Sequence, residues 1–199
     1  MEPLAPWRSP LARAIHRNRA LPSARYLQLA TLRVDGTPAN RSVVFRGFLT
    51  GTNRLMFISD RRSEKINQII HNPATEACWY FTKTREQFRL AGRLWLISAD
   101  TAPATLQSAR VTLWQNISDS ARRQFAWPQP KAPRSPNDAF ATHTLDLQAP
   151  PLCFCLLLLT VHSVDHLDLR AEPQNRHLYQ KLENQPPENS QWQTTIVNP

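Results

Sequence analysis

The scarcity of glycine limits what this 199-residue chain can fold into more than any other feature of its sequence. Only four glycines are present, Gly36, Gly47, Gly51 and Gly92, and no two of them are separated by a single residue. A G-x-G-x-x-G fingerprint or a Walker A loop needs glycines at fixed short spacings, so that the backbone can approach phosphate groups closely. The sequence therefore excludes Rossmann-type and P-loop nucleotide binding. Its apolar share of 41% and charged share of 20% are typical of one globular domain.

The chain is strongly basic, with a formal net charge of +9. Such a charge favours an anionic partner, such as nucleic acid, an acidic surface or a phosphorylated ligand. The basic residues are scattered, however, and a solvated basic surface explains the charge equally well.

The three cysteines predict core thiols in a reducing compartment. Cys78, Cys153 and Cys155 form no C-x-x-C pair, and no histidine spacing supports a zinc site, so we expect no metal. The N-terminal "MEPLAPWRSP" lacks an apolar signal core, and no apolar run reaches the ~20 residues that span a bilayer. We expect a soluble, cytoplasmic protein without membrane contact.

Changes in hydrophobic period predict an α+β domain with six or seven antiparallel strands, whose sheet curls into a barrel. The predicted strands are "RYLQLATLRV", "ANRSVVFRGF", "RLMFISD", "EACWYF", "EQFRLAGRLWLIS", "CFCLLLLTVHSVDHLDL" and "WQTTIV". Helices are predicted from a Ser9 cap to Pro22, in "RSEKINQIIHNP", in "TAPATLQSARVTLWQNI", and after a Ser118 cap. Residues 128–151 contain six prolines and are predicted to be a long loop, which in a compact domain is often functional or mobile.

The strand "ANRSVVFRGF" carries an arginine near each end. Arg41 and Arg46 have opposite parity, so either one of them points to solvent or the strand end twists enough for both to reach one anion. One strand later, Ser59 ends a strand and Lys65 lies in the first turn of a short helix. A helix N-terminus suits a phosphate, whereas a lysine there does not help the helix itself. These residues are therefore candidates for an anion site.

The ordered set "LATLRVDGTPANRSVVFRGF", "LMFISDRRSEKINQIIHNP", "EACWYF", "REQFRLAGRLWLIS" and "QNRHLY" resembles the pyridoxamine 5′-phosphate oxidase-like flavoproteins. The stretches "APWR", "YLQLAT", "PANR" and "VDHLDLR" fit the cyanobacterial-type branch of that family. The similarity runs from about residue 4 to the C-terminus. It implies that residues 1–199 form a single split-barrel domain, and that a homodimer binds FMN in clefts at the subunit interface.

The resemblance also implies which side chains contact FMN. Transferred position by position, they are Arg41, Ser42, Val43, Val44, Arg46, Ile58, Ser59, Lys65, Gln87 and Arg176. Lys65 corresponds to the second residue of an Arg-Lys pair that binds phosphate, and Glu64 stands where the arginine is expected. This charge reversal predicts a weaker anion clamp.

The substrate half of the family pattern is not retained. "AEPQN" replaces an Arg-Leu-His element, Leu167 replaces a tryptophan, and the substrate-phosphate set has no counterpart near Trp114, Arg122 and Arg123. We therefore expect an FMN-dependent oxidoreductase that acts on an unknown small molecule, with no catalytic residue identifiable. Two alternatives stay open: a non-catalytic module that stores or senses FMN, and a basic nucleic-acid-binding barrel.

Overall fold

The computed structural model describes residues 2–100, 103–141, 145–182 and 191–199. Its central element is an antiparallel sheet of eight strands: β1 (Tyr26–Leu32), β2 (Pro38–Val44), β3 (Leu55–Asp60), β4 (Ala74–Phe81), β5 (Glu86–Ile97), β6 (Phe154–Asp168), β7 (Asn175–Lys181) and β8 (Trp192–Val197). The α-helices in the described part are α1 (Arg8–Arg17), α2 (Glu64–His71), α3 (Ala104–Asn116) and α4 (Asp119–Arg123). None of these helices is long and apolar enough to cross a membrane.

Six strands close into a ring in the order β3-β6-β5-β4-β1-β2. The ring closes between β2 and β3, where the Met56 N–H donates to the Gly47 carbonyl at 2.8 Å and the Arg46 N–H donates to the Met56 carbonyl at 2.9 Å. The long strand β6 pairs with β5 along most of its length, but its other edge is shared. Its first half pairs with β3 and its second half pairs with β7, which carries β8. This division makes the barrel a split barrel and confirms the predicted α+β fold class.

Gly92 allows β5 and β6 to stay paired while the sheet curls. The register between these strands shifts at Ala91 and Gly92. A Cβ atom on Gly92 would lie 2.2 Å from the Thr160 carbonyl oxygen, so no other residue fits there without moving the backbone. The position therefore needs glycine for close approach, not for an unusual backbone angle.

Two hydrophobic clusters fill the molecule. The larger one lies inside the barrel, where Phe45, Trp79, Phe81 and Phe88 form a chain of aromatic contacts with centroids 5.0–5.9 Å apart. The smaller one packs α3 and the turn after α4 against β6 through Trp114, Phe125 and Phe154. The second cluster places α4, and the chain that follows it, beside the end of β3.

Several predicted boundaries shift. The described residues form eight strands, because the segment "NRHLYQK" pairs as β7, although Tyr179 is its only buried residue and its hydrophobic alternation is weak. Helix α1 begins at Arg8, earlier than the Ser9 cap predicts, and its N-cap is the completely buried Trp7; the helix ends at Arg17. The Ser118 cap is confirmed, since its hydroxyl accepts a hydrogen bond from the Ala121 N–H.

Two predicted segments are described only in part. Helix α3 begins at Ala104, while residues 101–102 lie outside the described residues. Within 128–151 the described residues include one short 3₁₀ turn, Asn137–Phe140, and residues 142–144 lie outside them.

Candidate functional site

A cleft of about 910 Å³ opens where β2 and β3 end and α2 begins. Its volume lies within the range of sites that hold a cofactor or a drug-sized ligand. Eight of the ten predicted site residues line it: Arg41, Ser42, Val43, Val44, Arg46, Ile58, Ser59 and Lys65. The structure thus brings two strand ends and one helix start together, as the sequence predicts.

Arg41 is held rigidly at the base of the cleft. Its guanidinium donates to the Leu29 carbonyl at 3.1 Å, to Thr31 Oγ1 at 2.5 Å and to Gln68 Oε1 at 2.9 Å. All three acceptors are neutral, so they orient the guanidinium without cancelling its charge. Burial is the main cause that lowers the pKa of Arg41 below its ordinary value.

Arg46 reaches the same cleft although its parity is opposite to that of Arg41. Strand β2 ends at Val44, and the chain then bends through Phe45 into Gly47, whose φ of 113° few residues other than glycine adopt. Of the two alternatives that the sequence leaves open, the structure therefore supports the twisted strand end. The Nε atom of Arg46 is buried without a hydrogen-bond partner among the described residues, and burial lowers the pKa of this side chain.

Lys65 supplies the third cation. Its ammonium group donates to Ser63 Oγ at 2.7 Å and to Ser59 Oγ at 3.2 Å. Burial is the main cause that lowers the pKa of Lys65, and the positive charge of Arg41 lowers it further. Ser63 is the N-cap of α2, so the ammonium lies at the positive end of the helix, where an anion is stabilised and a cation is not.

The three cations lack an ion-pair partner among the described residues. Asp60 also lines the cleft, but its carboxylate accepts from Arg62 Nε at 3.0 Å and from Arg62 Nη2 at 2.6 Å. A buried guanidinium Nε–H without an acceptor costs free energy until a partner accepts a hydrogen bond from it. A ligand with a dianionic end fits this arrangement.

The opposite wall of the cleft was not predicted. It consists of α4 residues, of Phe125, and of a segment that we call the strap, residues 127–135, together with Phe140. Arg62 fixes the start of the strap by donating to the Trp127 carbonyl at 2.9 Å and to the Phe125 carbonyl at 3.3 Å. The proline-rich composition of residues 128–151 was the available signal, but composition does not show which surface a loop covers.

Gln87 and Arg176 do not line this cleft. Leu167 of β6 is paired in register with Gln87 of β5 on one side and with Arg176 of β7 on the other. The three side chains therefore lie in one row across the outer face of the sheet. Arg176 makes a two-pronged ion pair with Asp165, at 3.0 and 2.7 Å. Three strand spacings, roughly 14 Å, separate the β5 position of Gln87 from β2. One chain therefore brings together eight of the ten predicted residues but not these two.

Trp114 and Arg122, which lie near the segment where substrate-phosphate ligands were expected, make contacts that stabilise α3 and α4. Arg122 donates to the Trp114 carbonyl at 2.9 Å and to Asp119 at 2.7 Å, and the Trp114 indole N–H donates to the Asp146 carbonyl at 2.9 Å. These contacts end α3 and fix α4, and neither Trp114, Arg122 nor Arg123 lines the cleft.

The fold and the cleft define a split-barrel protein with a cationic site for an anionic ligand. Residues 4–98 match the sequence model of the family described as "Pyridoxamine 5'-phosphate oxidase, FMN-binding domain". The chain is 38% identical over 169 residues to the pyridoxine/pyridoxamine 5′-phosphate oxidase 2 of Arabidopsis thaliana, with 84% of this chain and 85% of that protein covered.

Solved structures agree with this match. A pyridoxamine 5′-phosphate oxidase-related, FMN-binding protein from Nostoc punctiforme has 53% sequence identity and a TM-score of 0.93, with 98% of this chain and 99% of that chain covered. PhzG from Burkholderia lata, with 18% identity and a TM-score of 0.76 over 99% of this chain and 94% of that chain, shares the fold.

The chain belongs to the pyridoxamine 5′-phosphate oxidase-like family of FMN-binding flavoproteins. FMN is the cofactor of this family, and the residues present fit it, because three cations without carboxylate partners line the cleft and can face a phosphate. The predicted resemblance and cofactor are confirmed, and the family match favours a flavoprotein over a nucleic-acid-binding barrel.

Proposed function

We propose that this protein is an FMN-dependent oxidoreductase whose cofactor binds in the cleft, with the phosphate at the end formed by Arg41, Arg46 and Lys65. The observation that carries the proposal is that these three partly buried cations line one cleft, and none of them has a carboxylate partner among the described residues. Each charge-assisted hydrogen bond to a phosphate contributes ~1.5–3 kcal/mol.

The remaining predicted contacts belong to the same proposal. Ser59 and Ser63 hold the Lys65 ammonium at the helix start, so that it needs little reordering to meet a phosphate oxygen. Ser42, Val43, Val44 and Ile58 line the adjoining wall, where the flat flavin ring would lie.

Bound FMN would supply hydride transfer, and the residues of this chain would bind it, orient it and exclude water. The cationic end takes the phosphate, which leaves the part of the wall formed by α4 and Phe140 to face a second molecule. This division of the cleft supports turnover with a small substrate over a module that only stores FMN. The retained cofactor half and the missing "Arg-Leu-His" element support a substrate other than pyridoxamine 5′-phosphate.

We further propose that the chain is a single domain and works as a homodimer. The strands that follow residue 98 join the same sheet as the matched region, which supports one domain. Tyr26 and Val44 line the cleft and are paired in register with each other, and Tyr80, Gln87 and Leu167 continue the outer face across the next strands. A second copy that docks this face would bring Gln87 and Arg176 to the cleft of its partner.

A reducing, cytoplasmic location is also part of the proposal. All three cysteines are free thiols, and burial raises the pKa of each, to about 11 for Cys155. Thiols with raised pKa values are poor nucleophiles and suit a structural role in a compartment that keeps them reduced.

The cofactor assignment is tested on the purified protein. We expect a yellow protein whose acid-released flavin is FMN, and an apoprotein that binds FMN at least about tenfold more tightly than riboflavin, because riboflavin lacks the phosphate. A protein that neither carries nor takes up FMN would refute the proposal. Anaerobic bleaching of the bound flavin by a reduced nicotinamide, followed by reoxidation in air, would separate an oxidoreductase from a storage module.

A further inference from the structure

Glu64 is the first residue of α2 and stands next to Lys65, in a position where the family resemblance implies a basic residue. Its carboxylate has two cationic partners. One is Arg33, whose Nε lies 3.8 Å away, and the other is Lys131, 67 positions later in the chain, whose ammonium group donates to Oε2. The hydrogen bond from Lys131 is the largest cause that lowers the pKa of Glu64.

Lys131 lies in the middle of the strap and has an unusual backbone conformation. Its φ of 65° is in the left-handed region, which residues other than glycine adopt rarely and at a cost in free energy. Such outliers persist where the surrounding structure holds them, often at binding sites. The side chain lines the same cleft as Arg41 and Lys65, and 75% of its surface is exposed, so solvent or a ligand can reach it.

We infer that Lys131 is a further binding residue for the cofactor phosphate, and that Glu64 holds it at the start of α2. The inference rests on the proposed function, which puts the phosphate at that end of the cleft. A lysine ammonium has three donors, and Glu64 engages one of them. The others are available to a phosphate oxygen.

Under this inference the strap is part of the cofactor site. A cation from a distant segment restores the positive charge that Glu64 removes from the phosphate clamp. Arg62 contributes by fixing the carbonyls at the start of the strap, and so limits where Lys131 can lie.

A competing explanation is that Lys131 only neutralises Glu64, so that the carboxylate does not repel the phosphate. The two explanations differ once Glu64 carries no charge. If Lys131 contacts the phosphate, its removal weakens FMN binding in a Glu64→Gln background as well. If it only neutralises Glu64, its removal has no effect there.

The experiment measures FMN and riboflavin dissociation constants by quenching of flavin fluorescence at low ionic strength. The proteins are the wild type, Lys131→Ala, Glu64→Gln and the double variant, with Lys83→Ala as the matched control. Lys83 lies in the exposed turn between β4 and β5, and its removal changes the net charge by the same amount. Circular dichroism confirms that each variant is folded.

We expect Lys131→Ala to weaken FMN binding about tenfold, to weaken it about fivefold within the Glu64→Gln background, and to leave riboflavin binding unchanged. Lys83→Ala should leave both constants unchanged. A double variant that binds FMN as tightly as Glu64→Gln alone would overturn the inference, and so would an equal loss of FMN and riboflavin affinity. A wild-type protein that binds no FMN would instead refute the proposed function on which the inference rests.

Discussion

Replacing Lys65 with methionine separates ligand binding from folding more sharply than any other single change in the cleft. Methionine keeps most of the length and apolar surface of the lysine stem but removes the ammonium group. That ammonium donates to two serine hydroxyls, and its pKa is lowered by burial and by Arg41. Its charged form is therefore held at a cost that a bound phosphate would offset.

The magnitude follows from the contact that would be lost. A charge-assisted hydrogen bond to a phosphate contributes ~1.5–3 kcal/mol, which corresponds to a factor of about 10 to 150 in the dissociation constant. We expect Lys65→Met to weaken FMN binding by a factor in this range. The stability of the apoprotein should be unchanged or slightly higher, because an unpaired charge has been removed from a partly buried position.

The pH dependence gives an independent check. A lysine whose pKa is lower in the folded state than in the unfolded chain binds fewer protons when folded, so the stability of the apoprotein rises with pH between the lowered pKa and the ordinary value near 10.5. Over the same range FMN affinity should fall, because the ammonium loses its charge. Both trends should be weaker in Lys65→Met.

Flavin fluorescence titration gives the affinities, and urea unfolding of the apoprotein at several pH values gives the stabilities. Lys83→Met, in the exposed turn before β5, is the matched control for loss of one lysine. If Lys65→Met bound FMN as tightly as the wild type, the placement of the phosphate at α2 would be wrong.

Three further changes test other parts of the structure. Gly92→Ala should lower the free energy of unfolding by about 2 kcal/mol in urea titrations, since the added Cβ meets the Thr160 carbonyl; an unchanged midpoint would contradict the close approach of β5 and β6. Arg62→Ala should speed tryptic cleavage within residues 127–135, because the chain at the start of the strap loses its hydrogen bonds from Arg62 to two backbone carbonyls. Cleavage at the wild-type rate would show that other contacts hold the strap in place. Arg176→Gln should weaken FMN binding roughly fivefold, only at protein concentrations where dimers form, as light scattering can establish; an effect in the monomer would contradict the proposed dimer.

Much of the barrel could be predicted because the signals are local. The alternation in β4 and β5 and the isoleucine spacing in α2 each report burial within a few residues. Strand β7 was missed because it lies beside the ring, where Tyr179 is its only buried residue. A strand with one buried side chain shows almost no alternation of apolar and polar residues from which it could be predicted.

The site was harder to predict where it depends on distant contacts. The helix-start argument placed Lys65 correctly, since the N-cap and first turn follow from adjacent residues. The effect of Glu64 could not be read locally, because Lys131 lies 67 positions away. Whether Arg41 and Arg46 line the same cleft depended on the twist after Val44, which alternation alone does not determine.

A structure of the protein with bound FMN tests the central claim most directly. We expect the phosphate oxygens to lie about 3 Å from Lys65 Nζ and from the guanidinium groups of Arg41 and Arg46, with Lys131 turned toward the same phosphate. A phosphate that projects into solvent, or a flavin bound away from the start of α2 while Lys65 stays on Ser59 and Ser63, would contradict it.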